Sequence, residues 1–137
     1  MISTAGPQPV YAFRRGTAVD RSPLLKDRAR RENNSGQWIR CRHCGHVLAS
    51  LADQIAVDGQ RQSVHINPNG VSFRLEFYRR ASGCLEVGPE TAEHTWFAGH
   101  QWQVSVCAPC RAHVGWRFRA AGESRFHGLI VDRILHS

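Results

Sequence analysis

The sequence has no run of about 18 consecutive apolar residues, so it contains no candidate transmembrane helix. Its first residues also lack the basic and then apolar order that is typical of a secretory signal. No internal repeat is present beyond two short cysteine motifs. These absences predict a protein without a membrane partner and favour the cytoplasm as its compartment.

The positive charge of the chain is concentrated near its N-terminus. The formal net charge is +7, and the 137 residues fit one domain of ordinary size. Residues 1–37 carry seven basic and three acidic side chains, whereas residues 38–137 carry eleven and eight. The first part is also polar, with little apolar periodicity. We therefore predict a basic, flexible arm over residues 1–37 and one folded domain over residues 38–137.

The pattern of the second part is typical of antiparallel β-structure. From Trp38 onward, short apolar or alternating runs such as VSFRLEFYRR and WQVSVC are separated by turn residues. The segment NPNG at 67–70 is a strong turn signal. Only LASLADQIA, near residue 50, is compatible with a short helix. The sequence therefore predicts an all-β domain.

Five cysteines are the main chemical signal of this domain: Cys41, Cys44, Cys84, Cys107 and Cys110. In a chain without a secretory signal, cysteines favour metal binding over disulfides. The C-x₂-C spacing at 41–44 and at 107–110 lets both sulfur atoms of each pair reach one tetrahedral Zn²⁺. Four thiolates leave the ion no open position, so we predict one structural zinc that ties the first third of the chain to the last. Cys84 is left over.

Histidines flank both cysteine pairs and are rival ligands for the metal. His43 and His46 adjoin the first pair, and His113 follows the second. Turns of this kind lie mostly at the surface. We therefore interpret the three side chains as solvated turn histidines.

Aromatic residues form the second signal. Three of the four tryptophans fall within residues 96–116, namely Trp96, Trp102 and Trp116, and Phe118 follows closely. Side chains alternate along a strand, so Trp116 and Phe118 share a face. Ordinary core packing is one interpretation, and a preorganised aromatic cage is the other. Such a cage suits either a cation, with Glu93 as its carboxylate, or a neutral compact ring, and the residues alone leave both open.

The longer motifs resemble a known family. The segments NPNG at 67–70, EHTWFAGHQW at 93–102, CAPCRAHVGWRF at 107–118 and FHGL at 126–129 occur in the order and spacing of the cereblon-type thalidomide-binding (CULT) domain. The resemblance covers about residues 38–133. It implies a β-tent, that is, two antiparallel sheets pinned by a structural zinc on the four paired cysteines.

The resemblance also implies a ligand and a site. The ligand is a neutral cyclic imide: a glutarimide or thalidomide-type ring, a C-terminal cyclic imide of a damaged protein, or a uracil-like or uridine-like ring. Three tryptophans form the cage above Phe118, and the imide edge is held by the backbone carbonyl and side chain of His94 and by the N–H of Trp96. The implied ligand-binding residues are Asn67, Pro68, Glu93, His94, Thr95, Trp96, Trp102, Trp116 and Phe118.

The sequence departs from the family pattern at several points. Asn69 stands where the best-known members have histidine, and Phe118 replaces a tyrosine found in some relatives. The chain has no room for the Lon-like domain and the adaptor-binding helices of full-length cereblon. We therefore expect a stand-alone, bacterial-type member that acts as a binding module, without catalytic residues and without a ubiquitin-ligase adaptor as partner.

Two other functions compete with this interpretation. Methionine sulfoxide reductases of the B type also carry two zinc-binding CxxC motifs, but they need a catalytic cysteine after the second motif, and the spare Cys84 precedes it. Single-stranded nucleic-acid binding would use the basic arm and stacking aromatics. It is disfavoured because the arm is separate from the predicted cage.

Overall fold

The computed structural model describes residues 37–122 and 124–137, and in these residues the chain is almost entirely β. Nine strands are joined by short turns, and two 3₁₀ helices, Leu51–Asp53 and Val131–Arg133, are the helical segments of the described part. No helix there is long and apolar enough to cross a membrane. The all-β prediction is confirmed. The predicted arm over 1–37 lies, except for Gln37, outside the described residues.

The nine strands form two antiparallel sheets. They are β1 (Trp38–Cys41), β2 (Val47–Ser50), β3 (Gln62–Ile66), β4 (Ser72–Tyr78), β5 (Cys84–Thr91), β6 (His100–Cys107), β7 (His113–Ala120), β8 (Arg125–Ile130) and β9 (Ile134–His136). The small sheet has the order β2-β1-β9, and the large sheet has the order β3-β4-β8-β7-β6-β5. Every pairing is antiparallel, as the sequence predicted.

An aromatic core covers one face of the large sheet. Trp102 of β6 lies opposite Phe118 of β7, and Trp116 lies opposite Gly128 of β8. Because residues opposite each other and residues two apart share a face, these side chains point to the same side. The buried members of this core are Phe73, Leu75, Phe77, Phe97, Trp102, Trp116, Phe118, Phe126 and Ile130.

A second core lies where the small sheet packs on the large one. At this junction, the buried carboxylate of Glu76 links the two sheets. Glu76 of β4 is 5% exposed. It accepts hydrogen bonds from the Tyr78 hydroxyl at 2.6 Å and from the Gln62 amide at 2.6 Å, and its Oε1 lies 2.8 Å from Nε2 of His136. A buried charge is tolerated when it is fully partnered, so this cluster ties β9 of the small sheet to the large sheet.

The opposite face of the large sheet carries paired charges. Arg119 donates two hydrogen bonds to Glu90, at 2.6 and 2.8 Å, and Arg117 lies between Glu90 and Glu86. The contact with Arg119 is the main cause of the lowered pKa of Glu90. Two of the domain's basic side chains are therefore neutralised within the fold.

Strands β7 and β8 approach each other closely at Gly115. A Cβ atom added there would lie 2.1 Å from the Gly128 carbonyl oxygen of the neighbouring strand. Because this contact is with backbone, the sheet would have to open beside Trp116. We expect Gly115→Ala to lower the free energy of unfolding by about 2–4 kcal/mol, as measured by urea denaturation.

Gly88 provides the control for this substitution. It has φ +78°, and nothing lies within 4 Å of an added Cβ. Gly88→Ala therefore tests backbone strain without steric overlap, and a loss of about 1 kcal/mol is expected. An equal loss in the two variants would contradict the steric explanation for Gly115.

Candidate ligand site and cysteine cluster

Four cysteines meet where the two sheets join. The sulfur atoms of Cys41, Cys44, Cys107 and Cys110 all lie within 4.8 Å of one another. Cys41 Sγ is 3.7 Å from Cys110 Sγ, and Cys44 Sγ is 3.5 Å from Cys107 Sγ. Cys41 ends β1 of the small sheet, and Cys107 ends β6 of the large sheet. This cysteine cluster can hold one metal ion and would join the sheets by doing so.

The two cysteine turns have the same backbone geometry. The N–H of Gly45 donates to the Cys41 carbonyl at 2.8 Å, and the N–H of Arg111 donates to the Cys107 carbonyl at 2.8 Å. Both donors have a left-handed backbone, with φ 85° at Gly45 and φ 65° at Arg111. The C-x₂-C spacing therefore folds into one local structure twice, and each copy presents two sulfur atoms to the same point.

The proximity of the sulfur atoms alters their ionisation. A hydrogen bond with Cys107 is the largest cause that lowers the pKa of Cys41, to about 5, and the same contact raises the pKa of Cys107. One thiolate is thus favoured at the expense of its neighbours. A bound cation removes this competition, because coordinated thiols lose their protons.

The three flanking histidines lie outside the cysteine cluster, and one of them was misinterpreted. His43 is exposed and His46 is half-buried. His113 is buried, and its Nε2 lies 2.9 Å from the Gly115 carbonyl. Burial, together with the nearby Arg133, lowers the pKa of His113 to about 4. The interpretation of His113 as a solvated turn residue is therefore wrong.

The predicted aromatic residues come together on the large sheet. The ring centroids of Trp96 and Trp116 are 5.0 Å apart, edge to face, and those of Trp96 and Phe118 are 6.5 Å apart. Trp102 lies opposite Phe118 and belongs to the same buried cluster. Trp116 and Phe118 are fully buried, whereas Trp96 is half-buried. We call these four residues the aromatic cage, and Trp96 is the member that solvent reaches.

The loop of residues 92–99 crosses the cage and is anchored by two indoles. The Trp102 N–H donates to the Glu93 carbonyl at 2.8 Å, and the Trp96 indole N–H donates to the Ile66 carbonyl at 3.0 Å. His94 has φ 60°, which turns the backbone sharply between these anchors. Among the described residues, the hydrogen bonds of this loop engage neither the His94 carbonyl nor the backbone N–H of Trp96. These two groups remain available beside the cage.

The side chains of Glu93, His94 and Thr95 have different environments. The side chains of Glu93 and His94 are 76% and 56% exposed, and Oε2 of Glu93 lies 4.0 Å from Nε2 of His94. Thr95 is half-buried, and its hydroxyl bonds to the backbone of Phe97 within the loop. Glu93 therefore faces solvent and is absent from the buried aromatic cluster.

The NPNG turn adjoins the cage at Trp96. Asn67 is buried, and its side-chain oxygen accepts from the N–H groups of Asn69 and Val71, both at 2.9 Å. Pro68 is exposed. Asn67 thus shapes the turn, while Pro68 lies at its surface next to the strand that holds Trp96.

Sequence reasoning missed three aromatic neighbours of the cage. His65 stacks on Trp96 at 5.1 Å, Phe73 meets Trp116 edge to face at 5.1 Å, and Phe97 meets Phe118 at 4.9 Å. The period-two pattern of VHINP offered a signal for His65, because it lies two residues before the buried Asn67.

Cys84 stands apart from both sites. It is buried on β5 opposite Cys107, outside the cysteine cluster. Burial, with the nearby Glu86 as a smaller cause, raises the pKa of its thiol. The side chain is therefore a poor nucleophile at neutral pH.

Part of the chain is similar to cereblon from several animals, although no family model matches it. Cereblon of Drosophila erecta is 35% identical over 83 residues, which are 58% of this chain and 14% of that protein. Cereblon of Drosophila pseudoobscura pseudoobscura is 32% identical over 96 residues, 65% of this chain and 16% of that protein.

Cereblon of Danio rerio is 30% identical over 77 residues, which are 53% of this chain and 18% of that protein. The chain thus covers 14% to 18% of the length of these curated relatives. The chain is therefore similar to a segment of cereblon, and the two antiparallel sheets and the paired cysteines are consistent with a cereblon-type domain.

Proposed function

We propose that this protein is a binding module that captures neutral cyclic imides in the aromatic cage and that it is not an enzyme. The ligand class comprises glutarimide and thalidomide-type rings, C-terminal cyclic imides of damaged proteins and uracil-like rings. These compounds share a compact ring with apolar CH or CH₂ groups and an edge of acceptor, donor and acceptor. The partner is either a small molecule or a peptide that ends in such a ring.

The observation that carries the proposal is that, within residues 37–122 and 124–137, no charged side chain belongs to the buried cluster around the cage. Its buried cluster consists of aromatic and aliphatic side chains, and Glu93, the carboxylate that the sequence offered for a cation, is 76% exposed. A cation would lose its hydration shell there without gaining an ionic partner, whereas a neutral ring loses little. The arrangement therefore favours the neutral ring over the cation that the sequence had left open.

Polar groups suited to an imide edge lie beside the cage. The His94 carbonyl can accept from the imide N–H, and the backbone N–H of Trp96 can donate to one imide carbonyl. The indole N–H of Trp116 is buried and has no hydrogen-bond partner among the described residues. A carbonyl that entered the cage within its reach would satisfy this donor, whose desolvation is otherwise uncompensated.

The expected affinity is modest. Burying about 120 Å² of apolar ring surface contributes about 3 kcal/mol, and two or three hydrogen bonds add about 1 kcal/mol each. Association opposes these gains with a loss of translational and rotational freedom. Micromolar or weaker binding of a free ring follows.

One structural zinc is the metal we propose for the cysteine cluster. A tetrahedral ion with Zn–S bonds of about 2.3 Å has sulfur–sulfur edges of about 3.8 Å. The edges of 3.7 and 3.5 Å fit this size. With four sulfur ligands the ion supplies folding energy and no open coordination position.

An enzymatic role of the reductase type is opposed by the position of Cys84. A catalytic thiol needs exposure and a lowered pKa, and Cys84 is buried with a raised pKa. A methionine sulfoxide reductase activity that is lost in Cys84→Ser would contradict the binding module and favour the enzyme.

We further propose that the module works in the cytoplasm, since free cysteines at a metal site suit a reducing compartment. Nucleic acid and ubiquitin-ligase adaptors are not among its proposed partners. Arg117 and Arg119 of the outer face are paired with Glu86 and Glu90. Salt-dependent binding of single-stranded DNA or RNA would count against this proposal.

Removal of the metal tests the zinc proposal. We expect one Zn²⁺ per chain by elemental analysis, and loss of near-UV circular dichroism on chelation. The reason is that the binding free energy of structural zinc, about 10–16 kcal/mol in zinc-finger peptides, becomes folding free energy. Cys107→Ser should lose both zinc and fold, whereas Cys84→Ser, whose sulfur lies outside the cluster, should keep one zinc. A fold that survives complete zinc removal would contradict the structural role.

Titration with glutarimide tests the ligand proposal. We expect quenching of tryptophan fluorescence and a Kd of micromolar order or weaker by calorimetry. Trp96→Ala and Trp116→Phe should each weaken binding by at least about tenfold, through lost ring contact and a lost indole N–H respectively. Trp116 is fully buried, so phenylalanine is preferred there because alanine would leave a cavity.

Trp38 supplies the matched control for these variants. It lies in β1 of the small sheet, away from the aromatic core of the large sheet. Trp38→Phe should therefore bind glutarimide as the wild type does. An absence of quenching and of heat at millimolar glutarimide would refute the ligand proposal.

A further inference from the structure

His65 packs directly against the aromatic cage from the inward face of β3. Its ring stacks on Trp96 with an interplanar angle of 27° and leans on Phe97, with centroid distances of 5.1 Å in both cases. Its Nε2 lies 2.7 Å from the hydroxyl of Ser63, which is on the same side of the strand. His65 therefore packs against the ring of Trp96, and its imidazole can take up a proton.

The position of Trp96 depends on β3 at two points. Its indole N–H donates to the Ile66 carbonyl, and one ring face is covered by His65. Trp96 itself belongs to the loop of residues 92–99, which is not part of either sheet. The contacts with β3 therefore orient the one cage residue that no sheet pairing holds.

The neutral form of His65 suits this position. Burial lowers its pKa below the ordinary value of 6.5, and the nearby Asp58 opposes that shift without cancelling it. Trp96 and Phe97 present uncharged rings to the imidazole. Attraction between an imidazolium and the indole face would raise the pKa of His65. Desolvation, which lowers the pKa, is the largest influence on this group.

We propose that His65 is a positioning residue of the imide site and that its protonation weakens imide binding by releasing Trp96. This inference rests on the proposed function, because it concerns the same site. A charged imidazole requires hydration, which the place between two aromatic rings does not provide. When His65 leaves the stack, Trp96 loses its support, and the bound ring loses one wall of the cage.

The direction of the pH effect follows from the protonation state of His65 in the imide-bound protein. If the bound state holds neutral His65, affinity is constant above the pKa of His65 in the unliganded protein, which lies below 6.5, and falls as the pH drops below that pKa. The loss approaches about tenfold per pH unit for one coupled proton. Reciprocally, a saturating imide should lower the pKa of His65 further.

Two variants separate packing from protonation. Glutarimide binding is measured by calorimetry from about pH 8 to about pH 5 for the wild type, His65→Phe and His65→Ala. His65→Phe retains an aromatic ring behind Trp96, so it should bind within about threefold of the wild type at about pH 8 and lose the acid-dependent weakening. His65→Ala removes the wall and should bind about tenfold more weakly throughout. The pKa of His65 is followed by NMR with and without glutarimide.

Among the described residues, further titratable groups around this site are Glu93 and His94, which are exposed on the loop of Trp96, and Asp58, which lies near His65. Any pH dependence that persists in His65→Phe belongs to them. His100 of β6 supplies the matched histidine control. Its ring lies 6.4 Å from that of Phe97. His100→Phe should keep the wild-type pH profile.

The outcomes distinguish the two proposals. If the wild type binds no glutarimide at any pH, the proposed function fails and this inference fails with it. If the wild type binds at about pH 8 but has the same profile as His65→Phe, only the inference on His65 is overturned. A His65 pKa that is unchanged by saturating glutarimide would overturn it as well.

Discussion

The pairing of β6 with β7 is the contact on which both sites depend. Cys107 ends β6, the second cysteine turn follows, and β7 returns with Trp116 directly opposite Val104. The same pairing sets Trp102 opposite Phe118. A metal ion at the turn would therefore fix the end of a hairpin whose middle forms the rigid part of the cage. The structural zinc that we propose would support the proposed ligand site by holding two strands in register, without an open coordination position.

Charge is distributed so that the cage stays neutral. The buried Glu76 is fully partnered at the junction of the sheets, and Glu86 and Glu90 pair with arginines on the outer face. Because side chains alternate across a strand, β7 can present Trp116 and Phe118 on one side and Arg117 on the other. The large sheet thus separates a face with paired charges from an aromatic face, and the neutral ligand that we propose for the aromatic face would be recognised through shape and backbone hydrogen bonds.

Spacing and periodicity were sufficient to predict the parts of the structure that are local in sequence. The C-x₂-C spacing predicted the cysteine cluster, and the period-two pattern placed Trp116 and Phe118 on one face. Contacts between strands that are distant in sequence could not be predicted in this way. The alternation of apolar residues shows which face of a strand is buried, but it does not show which strand lies next to it. The placement of β4 beside β8 and the stacking of His65 on Trp96 both depend on the order of strands in the sheet. The burial of His113 follows from the same packing and could not be read from its turn.

The cage joins parts of the fold that differ in how firmly they are held. Trp102, Trp116 and Phe118 lie on β6 and β7, which are each paired on both sides. Trp96 is held through the edge strand β3, which pairs with β4 alone. Edge elements with few buried contacts open at lower free energy than central strands. For the ring ligand that we propose, the central residues would therefore define the shape to be matched, whereas the β3 edge and Trp96 would determine how readily the ring enters and leaves.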